Sequence, residues 1–291
     1  MVKMAVKRLL TILLYAIIII ILFSVYVLFM SVKPRKFSTS GGPGTLGLEY
    51  EDVTLKTSDN LKLSAWFIPA KNKTSDTIIV THGYPFDKAN VLPVVTFLRE
   101  RYNILMFDFR YFGGSEGSFT TVGYHEKKDL LAAIYYLKQR NKKGKIGVWG
   151  ISLGASTAIM TATKTDDIKA IVADSAYASL DRMVKQTYRI FWFLKYPFVW
   201  TTEFFAGMFL GFNVNDVNPL GDVGNVNAAI FFIHGKKDLQ IPFENSEVLY
   251  DAAKDHKELW LVEGTGHCQA HAAKGKEYEE RVLDFYDKYL K

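Results

Sequence analysis

The chain has a single cysteine, Cys268, so no intrachain disulfide can form and the redox compartment stays undefined. Two other signatures are missing. There is no H-E-x-x-H run for a zinc peptidase and no G-x-x-x-x-G-K-[ST] loop for nucleotide phosphates, so neither a metal nor a cofactor is expected. No acidic residue occurs before position 37, whereas Lys3, Lys7, Arg8, Lys33, Arg35 and Lys36 are all basic. These six account for the whole net charge of +6, because the rest of the chain carries 30 basic and 30 acidic residues. Positive charge confined to the two ends of an apolar segment suits lipid headgroups, and a nucleic-acid partner is not expected.

Between those flanks lies Leu9–Met30 (LLTILLYAIIIIILFSVYVLFM), 22 residues without a charge. As a helix it rises about 33 Å, enough to cross a hydrocarbon core of about 30 Å. A cleaved signal peptide is the rival reading. Its apolar core is about 7–15 residues and ends in a small-x-small site, whereas this run is longer and continues into Ser31-Val-Lys-Pro-Arg-Lys36. An uncleaved single-pass anchor over residues 1–36 is therefore expected. Three basic side chains on each side nearly balance, and the free amino terminus tips the orientation toward a cytoplasmic N-terminus with the remainder outside.

Residues 37–47, with Ser38-Thr-Ser-Gly-Gly-Pro-Gly-Thr45, read as a linker into a folded domain over 48–291. Tyr50–Lys56 and Leu61–Phe67 read as a strand pair around Ser58-Asp-Asn60. Short apolar runs then recur at Thr77–Thr81, Asn103–Asp108, Ile146–Trp149, Ala170–Ala173, Ala229–Ile233 and Leu259–Val262. Helical patterns separate them at Ala89–Arg101 and His125–Gln139, and Tyr278–Leu290 closes the chain. Strands of this kind are buried on both faces, and their alternation with helices predicts an α/β fold with a mostly parallel sheet. Residues 176–220 break the rhythm with eleven aromatic side chains from Tyr188 to Phe212, and are expected to form a helical insertion. A second membrane pass there is disfavoured by Lys195, Pro197 and Glu203.

The pattern G-x-S-x-G occurs at Gly150-Ile-Ser152-Leu-Gly154, between the strand at Ile146 and a run of small residues suited to a helix. That context predicts a strand-to-helix elbow presenting Ser152 as a nucleophile. A serine hydroxyl needs a base, and the base needs a group to orient it. His267 follows a strand and Gly264-Thr-Gly266, which favours it over His271, while His125 and His256 read as solvated. Asp238, just past the strand Ala229–Ile233, is the expected acid, with Asp174 as the alternative. The oxyanion of a tetrahedral intermediate would be met by the backbone N–H of Leu153 and, after His82-Gly83, that of Tyr84. His82 itself reads as structural.

These stretches, with Asp108-Phe-Arg-Tyr-Phe-Gly-Gly-Ser-Glu-Gly117 and His234-Gly-x-x-Asp238, resemble the α/β-hydrolase superfamily. The likeness runs from about Leu48 to Leu290, and within the superfamily it points to the serine aminopeptidase-like group with its BEM46-like membrane-anchored hydrolases. Tyr111 stands where that family's D-x-R-G-x-G-x-S-x-G has glycine, and Asp108 and Arg110 would hold the loop. The resemblance implies acyl hydrolysis through Ser152, Asp238 and His267, the oxyanion held at Tyr84 and Leu153, and the 176–220 insertion acting as a cap. An ester or thioester substrate is expected, with a lipid-like acyl group favoured by the aromatic insertion and the tether. A peptidase is the nearest rival, although Glu203 and Asp181 make no convincing pair for a substrate amine. A non-catalytic binding protein on the same fold is the remote one. Asn72-Lys-Thr74 is a glycosylation sequon by pattern alone.

Overall fold

The computed structural model describes residues 2–37 and 41–290. Among the described residues eight strands form one sheet: β1 (Glu51–Lys56), β2 (Lys62–Ile68), β3 (Thr77–Thr81), β4 (Asn103–Phe107), β5 (Ile146–Ile151), β6 (Ile168–Asp174), β7 (Ala229–Gly235) and β8 (Lys257–Val262). Their order is β1-β2-β4-β3-β5-β6-β7-β8. β1 with β2 and β2 with β4 are antiparallel; every later pair is parallel. This is the expected α/β-hydrolase fold. The helices are α1 (Val2–Val32), α2 (Lys88–Val95), α3 (Glu126–Arg140), α4 (Leu153–Ala162), α5 (Leu180–Thr187), α6 (Lys195–Leu210), α7 (Pro219–Val223), α8 (Glu244–Ala252), α9 (Ala270–Lys274) and α10 (Lys276–Tyr289).

The central strands are apolar throughout because both faces of the sheet are covered. All five residues of β3 and all seven of β7 are buried. On one face Ile78, Val80, Trp149, Val172 and Phe231 pack with Val91, Leu92 and Val95 of α2 and Val282, Phe285 and Tyr286 of α10. Helices α3, α4 and α8 pack on the other. The helix expected over Ala89–Arg101 splits into α2 and a 3-10 turn at Thr96–Glu100, the change coming just beyond Pro93, which has no N–H to give. Asp87 starts α2 with a capping box, its carboxylate accepting from the Asn90 N–H while the Asn90 side chain accepts from the Asp87 N–H.

Strand registry sets where the loops fall. Thr81 is level with Gly150, Ile151 with Asp174, Asp174 with Ile233, and Gly235 with Val262. The carboxyl ends of β3, β5, β6, β7 and β8 therefore lie along one edge. The segments leaving them carry Gly83, Ser152, Ser175, Asp238 and His267.

Backbone packing divides the chain into two compact units. One joins Arg35–Ser179 to Val217–Lys291 and contains the whole sheet; the other joins Met1–Pro34 to Leu180–Asp216. In the smaller unit Tyr188, Phe198 and Val199 are buried together, with Ile20 and Val27 of α1 against them. Helix α6 has 16 residues, about 24 Å, which is short of a membrane pass. Of the expected linker, residues 38–40 lie outside the described part, and Pro43–Leu46 makes a short 3-10 turn.

Candidate active site

Ser152 sits between β5 and α4 with φ 53 and ψ −115. A non-glycine residue held there costs about 1–3 kcal/mol, a strain the surrounding structure must maintain. Its glycine neighbours are needed for close approach. A Cβ on Gly150 would meet the Ala155 nitrogen at 2.7 Å, and one on Gly154 would meet the Thr81 carbonyl oxygen at 2.4 Å. Helix and strand could not come this near with any side chain at either position. The Ser152 N–H donates to the Asp174 carbonyl at 2.8 Å, so β6 pins the turn from behind.

His267 reaches Ser152 from the loop after β8. The Ser152 hydroxyl and His267 Nε2 are 3.1 Å apart, and His267 Nδ1 lies 2.6 Å from Asp238 Oδ2. With Nδ1–H donating to the carboxylate, Nε2 is left to accept the serine proton. Asp238 is tied down further. Its Oδ1 accepts the N–H groups of Gln240 at 2.9 Å and Ile241 at 2.8 Å. Its Oδ2 also takes His234 Nε2–H at 3.1 Å, which is shared with the Ile241 carbonyl at 2.8 Å. Burial pushes the Asp238 carboxyl up, but the hydrogen bonds from His234 and His267 outweigh it and hold it below its ordinary value.

Asp174 stays apart from this chain. It is fully buried, and burial raises its carboxyl while hydroxyls from Ser175 (2.8 Å) and Tyr278 (3.0 Å) pull the other way. His271 is engaged elsewhere, 3.2 Å from Glu279 and stacked on Phe97. His256 is exposed and His125 is half-buried at the start of α3. His125 is thus less solvated than its charged neighbours suggest, because Tyr124 packs against its ring.

On the expected oxyanion side, a Cβ on Gly83 would stand 3.3 Å from that of Ser152, which brings the His82–Tyr84 segment beside the serine. Leu153 is the first residue of α4. His82 is fully buried, and burial lowers its basicity. Its Nε2 accepts from the Phe109 N–H and its Nδ1 donates to the Gly83 carbonyl, both at 2.9 Å, so the ring clamps two loops and holds no free nitrogen. Asp108 and Arg110 hold their loop as well. Asp108 accepts from the Lys88 N–H, the Lys88 ammonium and the Gly114 N–H, while Arg110 bridges Asp129 and Asp59. Tyr111 adopts φ 74, the left-handed conformation for which glycine is the usual residue.

Several residues escaped the sequence reading. His234 was visible only as part of a motif, yet it donates to Asp238 while its Nδ1 accepts from the Ser246 hydroxyl at 2.6 Å. Tyr278, in the closing helix, links the Trp149 indole N–H (3.0 Å) to Asp174. Ser175 joins Asp174 to the His267 loop by accepting the Cys268 N–H at 3.2 Å. In the smaller unit, Asp181 and Glu203 come together because α5 and α6 pack side by side, and Lys185, 2.8 Å from Asp181, supplies a counter-charge.

The sequence matches the profile of the prolyl oligopeptidase family over residues 111–291. YqkD of Bacillus subtilis is 31% identical over 223 residues, 75% of this chain and 73% of its own length. The α/β-hydrolase domain-containing protein WAV2 of Arabidopsis thaliana is 27% identical over 257 residues, 85% of this chain and 82% of its own. The Pyrococcus furiosus esterase Pf2001 superposes with a TM-score of 0.74 at 32% identity, over 89% of this chain and 100% of that one.

Proposed function

Because the chain belongs to the prolyl oligopeptidase family of α/β-hydrolases, we propose that it is a membrane-anchored serine hydrolase that cleaves carboxylic esters or thioesters through an acyl-enzyme. The observation that carries this is the hydrogen-bonded run from Ser152 through His267 to Asp238 on a strained elbow.

Ser152 Oγ attacks the carbonyl carbon while its proton passes to His267 Nε2. Asp238, kept ionised, stabilises the imidazolium that forms. The oxyanion is received by the N–H groups of Leu153 and Tyr84. Collapse breaks the ester or thioester bond, and His267 returns its proton to the departing alkoxide or thiolate. Water then adds to the acyl carbonyl and gives a proton to His267; the acyl–Oγ bond breaks, the carboxylic acid leaves, and His267 returns that proton to Ser152 Oγ. The chemistry needs no cofactor.

An ester is favoured over a peptide by the likeness to the Pf2001 esterase, above the identity at which only a fold is shared. The family's name keeps a peptidase in view as the second reading. The neutralising Lys185 beside Asp181 and Glu203 weighs against that pair as a receptor for a substrate amine. Anchoring is supported by α1, which is long and apolar enough to cross a bilayer, with only 11% of its most apolar window buried. Retention of α1 is further supported by Phe23, whose ring lies 5.6 Å from that of Phe198 and 5.8 Å from that of Phe191. Cleavage would strip the cover from those aromatics. The aromatic insertion and the tether favour a lipid-like acyl group, and the free amino terminus beside balanced basic flanks favours a site on the extracytoplasmic side.

A fluorophosphonate probe on the detergent-solubilised protein, followed by turnover across acyl lengths and bond types, tests this reading. Labelling should vanish in Ser152→Ala, and octanoyl or longer esters should outpace acetyl and butyryl ones. Preference for the short esters would remove the lipid assignment, faster turnover of aminoacyl anilides would favour the peptidase, and a labelled Ser152→Ala protein would remove the nucleophile.

A further inference from the structure

The smaller unit presents large apolar side chains to its surroundings on a scale that water does not favour. On α6, Tyr196, Trp200, Phe204 and Met208 recur every fourth residue and are 44%, 65%, 65% and 54% exposed. Four-residue spacing puts them in one row along the helix. The turn before α6 adds Ile190, Trp192 and Phe193, also exposed. The opposite side of α6, with Phe198, Val199, Thr202 and Ala206, is the buried one.

What lies against that buried side fixes the depth of the segment. Phe23 of α1 packs on Phe191 and Phe198, and the Ser24 hydroxyl donates to the Phe198 carbonyl at 3.3 Å. Ile20 and Val27 join the same cluster, and further on Phe29 meets Phe209 with ring centres 6.0 Å apart. Every one of these α1 residues falls in the second half of the uncharged run Leu9–Met30. That half rises about 16 Å, close to one leaflet of a hydrocarbon core of about 30 Å. Whatever packs against it shares its depth.

We infer that residues 189–210 lie within one leaflet of the bilayer beside the anchor, with the Tyr196–Met208 row facing acyl chains. The inference rests on the anchor reading of α1 and extends it from a tether to an embedded platform. Contacts at Phe198 with Phe23 and at Phe209 with Phe29 make α6 run in the same direction as α1, so it dips into the leaflet and does not cross. Arg189, Lys195 and Glu203 are the charged residues of this segment. Glu203 lies beside the Lys185–Asp181 pair of α5, off the exposed row, and the Lys195 ammonium stands 5.3 Å over the Tyr196 ring on a flexible stem.

The test uses the full chain in vesicles of phosphatidylcholine and phosphatidylglycerol. Cys268, partly buried and with its thiol pushed up by desolvation, is replaced by serine, and nitroxides are placed at Phe204→Cys, Leu14→Cys and Tyr135→Cys. Position 14 reports the anchor, and position 135, 66% exposed on α3, reports water. Collisions with a water-soluble nickel chelate should fall severalfold at 204 relative to 135, to the level at 14, while collisions with oxygen rise. A water-like signal at 204 with a lipid-like one at 14 overturns the inference and leaves the anchor standing. A water-like signal at 14 removes the anchor and the inference together. Shielding of 204 from both agents, with dipolar broadening between labels, assigns the row to a second copy of the chain and overturns the inference. The unlabelled protein gives an independent reading: brominated phosphatidylcholine should quench its tryptophan fluorescence, and Trp192→Phe with Trp200→Phe should remove most of that quenching. Quenching unchanged in that double variant overturns the inference as well.

Discussion

Ser152 and Trp200 lie on elements that the surrounding chain treats in opposite ways. Around Ser152 the side chains are covered and their polar groups are tied: Asp238 takes four hydrogen bonds, His234 is held at both nitrogens, and Asp174 is bracketed by two hydroxyls. Around Trp200 one side of α6 is packed and the other stands open with aromatic surface. A buried polar group without a partner costs about 1–3 kcal/mol, so the first region must satisfy every atom it encloses. Apolar surface costs about 25 cal/mol per Å² in water, so the second is comfortable only where water is replaced. The first region is built to hold charge in a fixed place, the second to meet a different solvent.

That contrast can be broken from the polar side first. Ser152→Ala should lower ester turnover by about 10³-fold or more, and adding His267→Ala should cost little further because the residues act as one unit; turnover of a soluble ester reads both. Next in size, Gly154→Ala places a Cβ 2.4 Å from the Thr81 backbone oxygen and should lose about 1–3 kcal/mol as well as activity, seen in urea unfolding of the solubilised protein.

Asp238→Asn should show a pH signature. The folded carboxyl lies below its ordinary value, so its contribution to stability is complete above about pH 4 and fades as pH falls through the lowered folded value. The wild-type and variant urea midpoints should therefore differ at pH 7 and converge in acid. A gap that stays constant down to acid pH would contradict the depressed carboxyl.

Tyr278→Phe tests the far side of the site. It removes a hydroxyl from buried Asp174 and an acceptor from the Trp149 indole, and should cost about 1–3 kcal/mol in stability with turnover reduced less than in Ser152→Ala. The smallest effect belongs to the open region. Trp200→Ser with Phe204→Ser should leave the unfolding midpoint in detergent within about 0.5 kcal/mol of wild type, as expected for exposed positions. A large loss there would mean the row is packed and would erase the comparison.

The strand at Ile146, the two glycines around Ser152 and the Leu9–Met30 run were all legible in the sequence, each for a local reason. An elbow needs residues without side chains at set spacings, a buried strand needs a continuous apolar run, and a spanning helix needs length without charge. Local chemistry also narrowed the acid to Asp238 or Asp174 and the base to His267 or His271. It favoured Asp238 and His267, but could not show that those two meet, because that depends on which loops end on the same edge of the sheet. Nor could it show that His234, Ser246, Ser175 and Tyr278 would converge, since they come from four places in the chain and their hydrogen bonds carry no sequence spacing.

By itself, then, the amino-acid order determined the alternation of strand and helix, the strained serine and the long apolar N-terminal helix, all consequences of neighbours along the chain. Tertiary structure turned the preference for Asp238 into a contact with His267 and gave Asp174 the bracing of the turn, because sheet registry brings those carboxyl ends level. It also decided that the aromatic insertion packs along the N-terminal helix, a pairing between residues about 170 positions apart that follows from two apolar faces having no better surface to cover them.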